Sequence, residues 1–187
     1  MRPFSAIGLK IILGSALLCY PFLMLLGLNH WGLTPMALVL MLIAIIKLTI
    51  DRRSQLQPLY ALGILCGVLS MVRQDEVWLK LYPVCMNLGS FIIFAWTLKT
   101  EQSMIERFAR IREPDLPIEA VAWTRTVTQV WCVFFLINAL VAAYTAVFCS
   151  LSTWTWYNGF IAYVLMGGLL GGEYLLRRRH QNKAKQI

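Results

Sequence analysis

The chain has 187 residues, 59% of them hydrophobic and 14% charged, with a formal net charge of +8 and a mean hydropathy of +0.66. Soluble domains average roughly 45–50% apolar and about 25% charged residues, so this composition excludes an ordinary water-soluble globule. The basic residues flank apolar runs and no nucleic-acid reading motif accompanies them, so a membrane protein with no nucleic-acid partner is expected.

A bilayer core about 30 Å thick takes roughly 20 apolar residues per helical crossing. The apolar runs predict an all-α, polytopic integral membrane protein. It is a single domain over 1–187 with about six transmembrane helices, at 7–28, 32–50, 58–74, 77–98, 127–148 and 156–176, and a short amphipathic cytoplasmic segment at 99–126. The first run, IILGSALLCYPFLMLLGL, follows Arg2 and Lys10 and is 18 residues long. That exceeds the roughly 7–15 residues of a cleaved signal, so a retained helix kinked at Pro21 is expected. LNHWG suits a tight interfacial reversal into the second run, and Lys47 near the end of that run can snorkel to head groups. DRRSQLQ then forms a charged loop, and the third run borrows Arg73 and Gln74 to finish its crossing.

RQDEVWLKLYP, residues 73–83, places Arg73, Asp75, Glu76 and Lys80 between two apolar runs. Glu76 and Lys80 stand four apart with the acid first, the favourable order for a helical ion pair. Asp75 sits at an N-cap or first-turn position. The cluster therefore opens the fourth helix, and Asp75, Glu76 and Lys80 are also a candidate head-group lip.

In the 99–126 segment, Met104, Phe108 and Ile111 recur at helical spacing, while Glu106, Arg107 and Arg110 point elsewhere. This short amphipathic helix either lies on the inner leaflet or packs beneath the bundle. EPDLP breaks it, with Asp115 placed to cap a new helix that opens near Pro117 and runs on through Trp123 and Arg125 into the fifth crossing. SLSTWTW is expected to be the next turn, and RRRHQNKAKQI ends the chain. With six crossings every one of the 17 basic residues except Arg73 and Lys80 falls on one side, which predicts both termini in the cytoplasm.

Intramembrane polar residues are Asn87, Asn138, Asn158 and Glu173. The asparagines suit packing hydrogen bonds, and Glu173 stands four residues before Arg177 as its pairing partner. An ionisable group in a span is nonetheless a functional candidate by default. MGGLLGGE supplies Gly167, Gly168, Gly171 and Gly172 at the GxxxG spacing that lets helix backbones approach closely. The partner helix is left open: one within this chain, a second copy in a homo-oligomer, or another protein. Trp78, Leu88 and Gly89 recur 78 positions later as Trp156, Met166 and Gly167, a weak internal repeat.

The five cysteines have no CxxC spacing and the two histidines, His30 and His180, lack an acidic pair, so no metal site and no cofactor are expected. No Ser/His/acid set or paired catalytic carboxylates can be assembled, so no catalytic residue is assigned and an enzyme is not expected.

From about Pro58 onward, RQDEVWLK, the amphipathic MIERF, a proline-marked joint, VWCVFFLINALVAAYTAVF and WTWYNGFIAYVLMGGLL before a basic tail resemble the bacterial inner-membrane septation protein A family. IREPDLPIEAVAWTRTVTQVWC resembles more closely an uncharacterised branch of small membrane proteins often encoded beside aryl-polyene or fatty-acyl biosynthesis genes. The family resemblance implies a non-enzymatic protein of the bacterial inner (plasma) membrane, a scaffold in envelope maintenance and septation that contacts envelope or division proteins. The branch resemblance implies an accessory to the transport or handling of a lipid or polyene-acyl product.

Overall fold

The computed structural model describes Ser15, residues 19–50 and residues 57–184; half of the first predicted crossing and most of the charged loop lie outside the described residues. Every regular element among them is helical: α1 (Tyr20–His30), α2 (Leu33–Ile50), α3 (Gln57–Arg73), α4 (Val77–Lys80), α5 (Tyr82–Thr97), α6 (Met104–Arg112), α7 (Ile118–Phe148), α8 (Leu151–Trp156), a π-helical turn (Tyr157–Ile161) and α9 (Ala162–Ala184).

Four stretches are long and apolar enough to cross a membrane: Leu33–Ile50, Val77–Thr97, Ile118–Phe148 and Leu151–Arg177. α3 is apolar but shorter, at 17 residues. At 31 residues α7 extends about 46 Å, well beyond the roughly 30 Å hydrocarbon layer. It is one continuous helix through Trp123 and Arg125, as the sequence predicts.

Two turns explain how the antiparallel helices are joined. Gly32, at φ +82°, reverses the chain between α1 and α2, with the Trp31 and Gly32 amides both donating to the Gly27 carbonyl. Gln74 does the same after α3, at φ +52° in the left-handed region that non-glycine residues seldom adopt. Its Nε2 donates to the Met71 carbonyl (2.6 Å), and the Asp75 amide closes back onto the Ser70 carbonyl (3.3 Å).

The described core has two main apolar centres. One, at the end of the bundle that carries α4, gathers Tyr20, Met24, Met36, Leu40, Leu79 and Trp154. The other, at the opposite end, is Val127, Trp131 and Phe135 with Phe94, Ile105 and Trp123 against them. Aromatic rings meet edge-on in both, with centroids 5.3 Å apart for Tyr20–Tyr82 and 5.1 Å for Phe94–Phe135. α5 and α7 run side by side between the two centres, with Ala139 and Ala142 buried against Val84.

Two local expectations change. SLSTWTW is not a turn: Ser150 caps a helix that starts at Leu151, its Oγ accepting the Thr153 amide (3.2 Å). The reversal is confined to Cys149 and Ser150 in extended backbone. Asp115 does not cap α7; Pro117 stands at the N-cap, with no side-chain cap hydrogen bond.

Candidate functional site

The charged lip is built into the fold. Pro83 has no amide hydrogen, so the carbonyl four residues earlier, on Leu79, loses its helical donor. The Tyr20 hydroxyl takes the vacant place (3.1 Å), and Trp154 Nε1 donates to the next carbonyl, that of Lys80 (3.0 Å). Trp154 is fully buried, so two distant helices grip the broken turn between α4 and α5. On the approach to α4, Asp75 Oδ1 accepts the Val77 amide (2.9 Å) and the Ser70 hydroxyl donates to the Asp75 carbonyl (2.9 Å). Lys80 Nζ lies 3.2 Å from Glu76 Oε1; the lysine side chain is 7% exposed and the glutamate 44%. Asp75, Glu76 and Lys80 are thus brought together, each engaged locally, with Asp75 exposed, Glu76 half-exposed and Lys80 buried.

A second polar cluster joins residues far apart in sequence. Asn138, on α7, donates through Nδ2 to Asn87 Oδ1 on α5 (2.9 Å) and accepts the Tyr157 hydroxyl on its Oδ1 (2.7 Å). Asn87 Nδ2 donates to the Pro83 carbonyl (2.8 Å). Asn138 lies ten residues before the end of α7, about 15 Å along the axis, which is about half the thickness of a hydrocarbon layer. Asn158 is separate: its Nδ2 reaches Thr145 Oγ1 (3.3 Å) and the Trp154 carbonyl (3.0 Å). Tyr157 went unrecognised in the sequence because a single tyrosine within an aromatic run carries no periodic signal.

Glu173 makes no direct ion pair with Arg177, although the two are near enough to interact through space. The guanidinium of Arg177 instead lies 3.6 Å from Glu113 Oε2 in the joint between α6 and α7, and among the described residues no ion pair links it to Glu173.

The glycines of α9 face open space. A Cβ added at Gly167, Gly168, Gly171 or Gly172 would meet nothing within 4 Å. In the most apolar 18-residue stretch of the span containing them 6% of the residues are buried, against 44% in the corresponding stretch of Ile118–Phe148. Met166 and Leu169, on another side of the helix, pack against the Trp131–Phe135 centre. The close packing implied by the spacing is therefore not made with another helix among the described residues.

At the end of the bundle opposite α4, α6 is held by borrowed donors and acceptors. Its first amides need partners, and Thr97 Oγ1 accepts the Met104 amide (2.9 Å) while Thr128 Oγ1 accepts that of Ile105 (3.3 Å). Glu106 is buried against Arg110, whose Nε and Nη2 each lie 2.9 Å from Oε1. Arg125 donates to the Leu98 carbonyl. Met104 is buried, but Phe108 and Ile111 are 54% and 79% exposed, so α6 both packs beneath the bundle and turns apolar surface away from it.

Beside α6 an open groove of about 720 Å³ runs between α3 and α5, lined by Ala61, Ile92, Ile93 and Trp96, with Gln57 and Arg107 at its polar end. Sequence reasoning missed it because its walls come from four separate elements. Cys66 and Cys85 face each other across α3 and α5 with sulfurs 3.8 Å apart. All cysteines among the described residues are free, and no three His, Cys, Asp or Glu side chains there are grouped to hold a metal ion.

These features define an all-helical protein with four helices long and apolar enough to span a bilayer. Compared with known proteins, the chain matches no family, no curated protein and no solved structure.

Proposed function

We propose that this chain is a non-enzymatic scaffold of the bacterial inner membrane, acting in envelope maintenance and septation by holding a partner helix against its last span. In this reading it crosses six times with both termini in the cytoplasm, as the placement of its basic residues favours. The resemblance to septation protein A rests on the order and spacing of segments, and it supplies the envelope setting.

The observation that carries the reading is the bare glycine face of α9. In lipid, helices associate through close backbone approach at small residues, not through a hydrophobic drive. The other glycines placed within α-helices, at 27, 63, 67 and 89, already have neighbours against them. Those of α9 have none among the described residues, so this is where a further helix has room to seat. The rival reading, a head-group site at Asp75, Glu76 and Lys80, has less support because the Lys80 ammonium is covered and paired.

Photo-cross-linking residues placed at positions 168 and 172 of the full chain, in its own membrane, test the proposal. A discrete adduct with a protein, lost on Gly171→Leu, is the expected result. Adducts with lipid alone would remove the scaffold reading. A lipid or polyene species that co-purifies with the wild type and is lost in Lys80→Ala would replace it with the product-handling one.

A further inference from the structure

The groove between α3 and α5 has the layout of a lipid site. Its walls are apolar, and Ile92 and Trp96, 62% and 67% exposed, leave it open sideways, where acyl chains surround a membrane-spanning helix. Its volume falls within the roughly 300–1,000 Å³ of small-molecule sites. Trp96 stands one residue before the end of α5, the interfacial level at which tryptophan is enriched in membrane helices.

The polar end is specific in charge. Of the arginines around the joint, Arg110 and Arg177 are neutralised by Glu106 and Glu113, and Arg125 is turned onto a backbone carbonyl. Arg107 differs. Its Nε donates to the Gln102 carbonyl (3.2 Å) and its Nη2 to Thr100 Oγ1 (3.2 Å), both neutral acceptors. No carboxylate among the described residues pairs with it, so a full positive charge is fixed in orientation by two hydrogen bonds at the mouth of an apolar groove. A planar guanidinium held in this way matches the oxygens of a phosphate. Basic pockets between membrane helices at the head-group level take anionic lipids.

We propose that this groove binds one anionic phospholipid, its phosphate on Arg107 and an acyl chain along Ala61, Ile92, Ile93 and Trp96. The site lies on α2 (through Leu48), α3, α5 and α6 and is independent of the glycine face. Ala61 is exposed in the groove wall, so a larger side chain there fills the groove without entering the core.

The test uses the full chain in detergent, stripped of lipid and titrated with phosphatidylglycerol, phosphatidylcholine or diacylglycerol, with bound lipid read by native mass spectrometry. Phosphatidylglycerol should bind about tenfold or more tightly than diacylglycerol, as expected for a charge-assisted hydrogen bond to phosphate. Arg107→Gln should abolish that preference while leaving diacylglycerol binding unchanged. Ala61→Trp should weaken both lipids at an unchanged thermal midpoint, which shows that the protein still folds. Three results would overturn the proposal. The wild type could lack the preference, or Arg107→Gln could keep it. Inorganic phosphate at millimolar concentration could displace the lipid, making the site one for a soluble anion. A photo-cross-linker at Ile92 that captures a second copy of the chain would equally overturn it.

Discussion

Two sets of glycines in this molecule have similar chemistry and opposite surroundings. Between α2, α3 and α5, a Cβ on Gly67 would overlap the Met41 side chain and lie 3.2 Å from the Ala37 carbonyl oxygen. One on Gly89 would overlap Leu59, and one on Gly63 would sit 3.0 Å from the Tyr82 ring. On α9, Gly167, Gly168, Gly171 and Gly172 touch nothing. The first set is a closed seam whose absence of side chains is already used by neighbouring helices. The second has the same small-residue spacing with no helix opposite among the described residues. The weak repeat sharpens the contrast, because Gly89 and Gly167 occupy matching positions in it and only Gly89 is packed. GxxxG spacing in a span thus states that close approach is allowed, and the tertiary structure decides whether it has happened.

The largest expected effect lies in the closed seam. Gly67→Leu must push α2 away from α3, because a backbone oxygen cannot swing aside as a methionine side chain can. Overpacking of this kind costs typically about 1–3 kcal/mol, and denaturant unfolding in detergent should register a loss at the upper end. Gly171→Leu should leave monomer stability within about 0.5 kcal/mol, as for an unpacked surface position, and abolish protein cross-links from α9. Equal destabilisation by the two substitutions would show that α9 packs elsewhere in the membrane-embedded protein.

Trp154→Phe keeps most of the ring and removes the donor to the Lys80 carbonyl. A buried carbonyl left without its partner costs about 1–3 kcal/mol, so the thermal midpoint should fall, as it should for Tyr20→Phe, which removes the donor to the Leu79 carbonyl. The Asn87–Asn138 coupling should be smaller still. Double-mutant cycles on hydrogen bonds between membrane helices average about 0.6 kcal/mol and reach about 1.7, and an Asn87→Ala/Asn138→Ala cycle should fall in that range. Lys80→Met, which fills the same volume without charge, should cost about 1 kcal/mol or less, since ion pairs with an exposed partner contribute little. A loss several times larger would return Lys80 to the centre of the functional argument.

Much of the helical layout is legible in the sequence because long apolar runs and prolines report on local physics. The continuous α7 follows from the break at Pro114 to Pro117 and the apolar run after it. The pairing of Glu76 with Lys80 follows from spacing alone. What was not legible depends on residues distant in the chain. Asn87 and Asn138 are 51 positions apart, and nothing local to either says that they meet or that Tyr157 completes the cluster. Arg177 leaves Glu173, its sequence neighbour on the helix, for Glu113, because the joint brings a second carboxylate within reach. Ser103 and Glu106 have the spacing of a capping box, yet Ser103 Oγ is buried without a partner and Glu106 is taken by Arg110. Thr97 and Thr128 supply the acceptors for the first two amides of α6, so tertiary neighbours replace the local cap.

The π-helical turn at Tyr157–Ile161 acts as an index mark for the last span. It holds one residue more than regular α-helix would use over the same rise, with the Ala162 amide reaching back five residues to the Tyr157 carbonyl. Each residue of an α-helix advances the azimuth by about 100°. Excising a single residue from the turn would therefore swing everything beyond it through more than a quarter of a circle. Met166 and Leu169 would leave the Trp131–Phe135 centre, and the glycines would rotate out of their present bearing. The direction in which the glycine face points is set by a count of one residue, so lineages that gain or lose that residue would present a different surface with every glycine intact.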